Sequence, residues 1–304
     1  MSARIAIMTA TSGWHGRRLA RAFAAFGVAT RFVSLADCRV DLAANRYGIV
    51  VPGFRDRLPD GVFVREIAAG TFEQVTFRLA ILHALAEWGV PVYNSARGIE
   101  RSVDKSMTSM LLRRAGLATP PTWTSEQPAS ARAALMRESA RGERLVLKPL
   151  FGSQGNGLMR LGAGDSLPAA ADYAGVYYLQ RFVDAAPDEA CDYRVFVIGG
   201  SAVAAMTRRG PGWVHNVAQG ARCEAVSPGG DLGELAERAA RAIGLDYAGV
   251  DLMRGRDGAP VVIEVNGIPA WQGLQSVASV DIAARLAQDF VQRRLAAATE
   301  VRAS

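Results

Sequence analysis

The chain has 304 residues, half of them hydrophobic and 21% charged, with a formal net charge of +6. That balance excludes a disordered tail and supplies apolar surface for one large domain or two to three small ones. No block of five or six like charges occurs and no apolar run approaches the ~18 residues of a membrane span, so neither a nucleic-acid nor a membrane partner is expected. Cys38, Cys191 and Cys223 are odd in number and far apart, which argues against a disulfide framework or a zinc site. The opening "MSARIAIMTATSGW" is no convincing secretory signal, and the cytoplasm is the expected location.

Residues 4 to 35 read strand, helix, strand: "RIAIM", then "HGRRLARAFAAFG" stopping at Gly27, then "ATRFVSL". "YGIVVPG" reads as a further strand, so the opening predicts a small α/β layer with parallel strands. Thr71 and Gln74 have the spacing of a capping box, and Gly89 stops the helix they start. Phe72, Val75, Leu79 and Leu82 give that helix one apolar stripe, and "VPVYN" follows as a strand. From Asp104, "DKSMTSMLLRRAG" predicts a helix ended by Gly116, and "TPPTW" forbids its continuation. "RLVLKPL" and "GLMRLG" are strands whose glycine-rich joint is too short for a crossover, hence a hairpin.

"YYLQRFV", "DYRVFVIGG" and "SAVAAMTRR" follow as antiparallel strand signals. "DLGELAERAARAIG" predicts a helix with an Asp231–Glu234 capping pattern and Gly244 at its end. "YAGVDLMRG" and "APVVIEVNG" are the last strands and "DIAARLAQDFVQRRLAAA" the last helix. The order is α/β first, then α+β.

Three constellations carry chemistry. Of 35 basic residues, 33 are arginine and only two are lysine, Lys105 and Lys148. Lys148 lies in an apolar strand just before Gly152, Gly155 and Gly157 of "GSQGNG". That pattern fits neither a P-loop nor a dinucleotide fingerprint. Glycines allow close backbone approach to an anion, and a lysine is a compact point charge that reaches phosphate without a planar fork. The alternative is a snorkelling surface lysine, a role that arginine fills everywhere else in this chain.

Period-2 alternation in "VVIEVN" puts Glu264 and Asn266 on one strand face, with Val261, Ile263 and Val265 on the other. Asp251 interrupts an otherwise apolar strand, and buried carboxylates need cations or hydrogen bonds. Two carboxylates and an amide oxygen are hard ligands suited to magnesium; for Asp251 alone, pairing with an arginine is an equal alternative, and the trio favours the metal. In "CDYRVFVIGG" Asp192 and Arg194 share a face, and Arg208 and Arg209 close the following strand. Arginines beside a metal–phosphate site stabilise charge on a transferred phosphoryl group. His215 and Asn216 are placed to touch phosphate or substrate, although a lone histidine is more often structural.

In this order the segments resemble the ATP-grasp superfamily. Within it, "ERSVDKSMTSMLLRRAGLATPPT", "VLKPLFGSQGNGL", "LQRFV", "CDYRVFVIGG", "AAMTRR", "AGVDLMR" and "VIEVNGIP" are similar to the RimK-like α-L-glutamate ligases. The resemblance implies an ATP-grasp fold of three parts: a preATP-grasp α/β domain over residues 1–98, a central lid subdomain over 99–183, and a C-terminal antiparallel-sheet, metal-binding subdomain over 184–304. It implies that Lys105 and Lys148 contact ATP phosphates and that the hairpin of Gly152, Ser153, Gln154, Gly155 and Gly157 closes over them. Gln180, Arg181, Phe182 and Val183 would line the adenine pocket, and Asp192 would hold the ribose. Asp251, Glu264 and Asn266 would hold two magnesium or manganese ions, with Arg208 or Arg209 assisting the phosphorylated intermediate.

The implied activity is an ATP-dependent, ADP-forming carboxylate–amine ligation through an acylphosphate. L-glutamate is one substrate and a small-molecule amine or carboxylate the other. There are departures from the family pattern. Arg181 stands where relatives usually carry a glutamate, Val214 and His215 replace more polar residues, and "NGIPAWQG" replaces the commoner "NASPGLEG" beside the acceptor. "KPLFGSQG" is closer to members that add glutamate to small coenzymes, of a tetrahydromethanopterin or a tyramine-based methanofuran type. The competing readings are glutamate addition to a ribosomal protein tail and a non-catalytic ATP-binding regulatory module. A nicotinamide oxidoreductase lacks its glycine fingerprint. The sequence leaves open whether the chain forms a homo-oligomer.

Overall fold

A computed structural model describes residues 3–55, 57–152, 155–185, 191–210, 212–214 and 220–297. β1 (Arg4–Met8), α1 (Gly13–Ala25) and β2 (Ala29–Val33) follow the sequence pattern. The "YGIVVPG" segment departs from it. β3 (Arg39–Val40) and β4 (Ile49–Val50) pair only with each other, as an antiparallel ribbon. The third strand of the main sheet is instead β5 (Gly61–Val64), buried throughout and too short to show a period of its own. α2 (Phe72–Glu87) and β6 (Val92–Tyr93) complete a parallel sheet in the order β2-β1-β5-β6.

α2 starts at the predicted capping box, where Gln74 N donates to Thr71 Oγ1 and Thr71 N donates to Gln74 Oε1. Its buried face is Arg78, Ile81, Leu82 and Leu85, whereas Phe72 is 82% exposed. Arg78 takes the inward position because its guanidinium donates to the carbonyls of Ala68 and Ala69.

α3 (Ala96–Val103) runs into α4 (Lys105–Arg114), and Asp104 between them caps α4 by accepting from Met107 N at 3.0 Å. β7 (Thr122–Ser125), α5 (Pro128–Ser139), β8 (Leu145–Lys148), β9 (Met159–Leu161) and β10 (Tyr177–Arg181) follow. Their antiparallel sheet runs β7-β10-β8-β9, with β8 and β9 adjacent as the hairpin pattern predicts. α5 covers one face, packing Ala131, Ala134 and Leu135 against Leu145, Leu147 and Leu179. Val146, Lys148, Tyr178 and Gln180 alternate with those residues and therefore project from the other face.

The last sheet contains β11 (Asp192–Ile198), β12 (Ser201–Arg209), β13 (Arg222–Val226), β14 (Tyr247–Arg254) and β15 (Pro260–Asn266), all antiparallel, in the order β13-β12-β11-β14-β15. α6 (Gly230–Ile243) packs against Val195, Val197, Val250, Val262 and Val265 on one face. Its N-cap residue is Gly229, with no side-chain cap; Asp231, in the first turn, pairs with Arg254 and accepts from Leu232 N at 2.8 Å. α7 (Gln272–Gln275) and α8 (Ile282–Asp289) cover the opposite face together with α1.

That second face joins the first and last sheets through one aromatic core of Phe23, Phe63, Tyr93, Tyr247 and Phe290, each pair worth about 0.5–1.5 kcal/mol beyond its buried area. Asn94, wholly buried, locks the same junction. Its Nδ2 donates to Tyr247 O (2.7 Å) and Gly267 O (2.6 Å), and its Oδ1 accepts from the amides of Asp246 and Tyr247. At the far end of this face the side chains turn polar, and there it meets the free face of the central sheet.

Candidate active site

The cleft between the two sheets is lined from one side by Lys148, Gln180, Phe182 and Val183 and from the other by Asp192, Arg194, Arg208, Asp251, Glu264 and Asn266. Lys105, at the start of α4, closes one end. The strands explain the convergence. Asp192 opposes Arg208 on β12, Arg194 opposes Asp251 on β14, and Asp251 opposes Glu264 on β15. Each strand then carries its apolar residues of the same parity, Phe196, Met206 and Tyr247, down into the core.

Lys148 is buried, with Nζ donating to Gln180 Oε1 at 2.7 Å. Burial lowers its pKa to about 8, with Lys105 pushing the same way and Glu264 and Asp251 opposing. Lys105 Nζ donates to Gly152 O (2.9 Å) and Leu150 O (3.3 Å), and lies 3.9 Å from Glu264 Oε1. It thereby ties the glycine-rich hairpin to the acidic strand. Burial lowers its pKa too, against Glu264 and Asp104. In the hairpin Gly157 has φ +70°, and a Cβ there would stand 2.9 Å from Pro149 Cγ, so no larger residue fits the turn. Gly152 and Gly155 also line the cleft. Ser153, Gln154, His215 and Asn216 lie outside the described residues.

Asp251 is clamped from two sides. Arg194 donates to both its oxygens (2.7 and 2.6 Å), and Arg208 Nη2 lies 3.0 Å from Oδ1. Arg208 also grips Asp192, at 2.6 and 2.9 Å. Burial opposes ionisation of Asp251, but the two guanidinium groups outweigh it and hold the pKa below the usual carboxylate value. Asp192 is pushed up by burial to about 6, with Asp251 adding to the rise and Arg208 and Arg194 opposing it. Arg209 falls on the opposite strand face, exposed and outside the cleft lining. Strand alternation thus separates the two arginines that the sequence left together.

Ile263 departs from the alternation. The register slips between Asp251 and Leu252, which pair with Glu264 and Val262, leaving Ile263 unpaired in a bulge. Val262 and Val265 enter the core, and Ile263 joins Glu264 and Asn266 at the cleft. Arg181 lines the cleft, but its guanidinium is committed to Glu138, a fully buried carboxylate of α5 that also pairs with Arg141. Trp213, unmarked in the sequence, lies 5.9 Å from Phe182, and Arg160 of β9 sits over both rings.

The donor set fits a hard divalent cation. Glu264 has only the distant Lys105 as an ionic partner among the described residues, and Asn266 makes only two long contacts of 3.5 Å, to Gly249 O and Asp251 Oδ2. Both contacts are donated by Nδ2, so Asn266 at Oδ1, like the Glu264 carboxylate, keeps uncommitted oxygen. Asp251 would share its carboxylate with the arginines. Apart from Arg181, four cations (Lys105, Lys148, Arg194, Arg208) face three carboxylates (Asp192, Asp251, Glu264), an excess that suits a polyphosphate.

Fold and cleft together define an ATP-grasp ligase, a class of enzyme that binds ATP and magnesium. Residues 102–290 match the RimK-like ATP-grasp domain and residues 3–99 the RimK PreATP-grasp domain. The chain belongs to the RimK-like ATP-grasp family. It is 36% identical, over 79% of its length and 81% of the relative's, to the tetrahydromethanopterin:alpha-L-glutamate ligase of Methanocaldococcus jannaschii. It is 29% identical, over 95% of both chains, to a probable alpha-L-glutamate ligase of Halorhodospira halophila. Its fold is that of the ATP-grasp ligase PsnB, solved with minimal precursor, Mg and ADP, at a TM-score of 0.70, 24% identity and 98% coverage of each chain. Among the described residues no helix is long and apolar enough to cross a membrane.

Proposed function

We propose that this chain joins the amine of L-glutamate to a carboxylate of a small coenzyme of the pterin type, consuming ATP and releasing ADP and phosphate. The observation that carries the reading is the convergence of Lys105, Lys148, Asp251, Glu264 and Asn266 on one cleft. The name of the Methanocaldococcus relative supports the choice of substrates. The three-part division at residues 98 and 183 belongs to the same proposal and is supported by the three larger sheets, each of which falls within one part.

In the reaction a carboxylate oxygen attacks the γ-phosphorus and ADP leaves. The amine nitrogen then attacks the acyl carbon, phosphate departs, and the amine proton passes to solvent. Lys148 and Lys105 hold the phosphate oxygens, and the glycine-rich hairpin excludes water from the acylphosphate. Phe182 and Val183 pack the adenine, whose recognition rests on backbone groups because Arg181 is held by Glu138. Asp192 meets the ribose. Arg208, anchored by Asp192 and Asp251, faces charge developing on the transferred phosphoryl group. Asp251, Glu264 and Asn266 would hold two magnesium ions, which supply charge neutralisation along the triphosphate.

The test is ADP and phosphate release from ATP with L-glutamate and carboxylate-bearing pterins, with mass analysis of the product. The reading requires acceptor-dependent turnover and a product heavier by glutamyl residues. ATP turnover that no acceptor raises, including whole-cell small-molecule extract, would overturn it in favour of an ATP-binding module.

A further inference from the structure

A second cluster lies where the first sheet meets the loop after β15. The strand order β2-β1-β5-β6 places β1 between strands reached in opposite directions. The crevice outside the carboxyl ends of β1 and β5 is thus a topological switch point, the usual ligand position in such sheets. Arg65 follows β5, His15 lies in the first turn of α1 after β1, and Trp271 comes from the "NGIPAWQG" loop. The Arg65 guanidinium stacks on the Trp271 ring, 4.6 Å from its centroid. His15 meets the same ring edge-on at 4.5 Å, and its Nε2 accepts from Trp271 N at 3.1 Å.

The cluster has more donors than acceptors. Of the three buried side-chain polar atoms without a partner among the described residues, two are here: Arg65 Nε and Trp271 Nε1. Such orphans are costly, and two within one stack call for a ligand. Among the described residues no carboxylate lies within ion-pair distance of Arg65. Glu66, beside it, accepts instead from Thr9 Oγ1 (3.0 Å) and Ala10 N (2.9 Å). Burial and the Arg65 charge lower the His15 pKa to about 4, so the ring is neutral at physiological pH. With Nε2 accepting, its proton sits on Nδ1 as a third donor.

The cluster is physically continuous with the nucleotide cleft. Arg65 Nη1 donates to Pro269 O at 3.0 Å, and Pro269 packs on Gly249, where a Cβ would stand 2.8 Å from the proline and 3.7 Å from Arg194 Nε. Gly249 is therefore the joint between the phosphate end and the crevice. Ala10, Gly70 and Ala270, on the flanking loops, and Gly13 at the start of α1 are exposed.

We propose that Arg65, His15 and Trp271 form the receptor for a non-reacting carboxylate of the substrate pair, and so select an acidic substrate in the crevice beyond the phosphate end. The inference rests on the ligase reading for the identity of the pair. Arg65 supplies the charge and a planar fork, and Trp271 Nε1–H and His15 Nδ1–H supply neutral donors. The carboxylate has two sources, L-glutamate or the acceptor, and the experiment separates them.

The full chain, loaded with Mg–AMPPNP, is titrated calorimetrically with L-glutamate and, separately, with folate as a pterin that carries carboxylates. The same titrations use Arg65→Met and Trp271→Phe. The second variant keeps an aromatic ring in the stack and removes the unpartnered donor together with one ring of a buried side chain. One of the two ligands should bind the wild type, at least tenfold more weakly to Arg65→Met and several-fold more weakly to Trp271→Phe, while AMPPNP affinity changes less than twofold. Wild type binding neither ligand would overturn the proposal. So would variants that bind both as tightly as wild type does, or that lose AMPPNP affinity in step with the carboxylate. Because binding is read without turnover, an absence of ligase activity would leave this result standing and count against the ligase reading alone.

Discussion

The buried lysine beside the hairpin offers the sharpest handle on the cleft. A fall in the Lys148 pKa from 10.5 to about 8 corresponds to roughly 3 kcal/mol against the charged form in the empty enzyme. A triphosphate bound against Nζ stabilises the ammonium and raises that pKa again. The protonated enzyme is then the form that binds. The sign follows directly: below the empty-state pKa Lys148 already carries its proton and pH has no effect through it, whereas above it binding must take up a proton. Affinity for Mg–AMPPNP should be flat from pH 7 to 7.5 and weaken toward tenfold per pH unit above about 8. Lys105, shifted in the same direction, steepens the fall. Calorimetry in two buffers of different ionisation enthalpy counts the protons. In Lys148→Arg the group stays charged throughout, so the slope should drop by about one proton while absolute affinity suffers from a larger head in a buried site, costing about 1–3 kcal/mol. Affinity that is constant to pH 9.5, or an unchanged slope in Lys148→Arg, would refute the reasoning.

Asp251→Asn leaves Arg194 and Arg208 without their shared partner, and should lower stability by about 3–5 kcal/mol in urea titration while abolishing turnover. Near-wild-type stability would mean that the clamp is not formed in solution. Asn94→Ala strands four backbone groups at the junction of the first and last sheets, a loss of roughly 2–4 kcal/mol in the same assay. Arg160→Ala removes the cation above Trp213 and one of two above Phe182, leaving Arg144, and should raise KM for ATP about two- to five-fold with no change in melting temperature.

The site was legible where chemistry conflicts with local pattern. Two lysines in an arginine-rich chain and a carboxylate in an apolar strand announce themselves, and those residues meet in the cleft. Capping signals fared unevenly. Thr71–Gln74 closes its box, but the helix of Asp231 starts earlier than the pattern predicts, at Gly230, and leaves Asp231 in the first turn, where it meets both Arg254 and Leu232 N. What could not be read is what depends on register and distance. The Ile263 bulge is invisible to a period of two, and the fate of Arg181 turns on Glu138, forty-three residues away in chain order. The contact of His15 with Trp271 spans 256 residues and joins two sheets that no local rule connects.

The central claim is that the cleft forms an acylphosphate, and phosphorus chemistry tests it most directly. An acceptor whose carboxylate carries heavy oxygen is turned over with L-glutamate and ATP, and the released phosphate is analysed for the label. Attack of the carboxylate on the γ-phosphorus predicts one heavy oxygen transferred to orthophosphate for each amide formed, with ADP as the nucleotide product. Label appearing in AMP, or amide formed with unlabelled phosphate, would contradict the account.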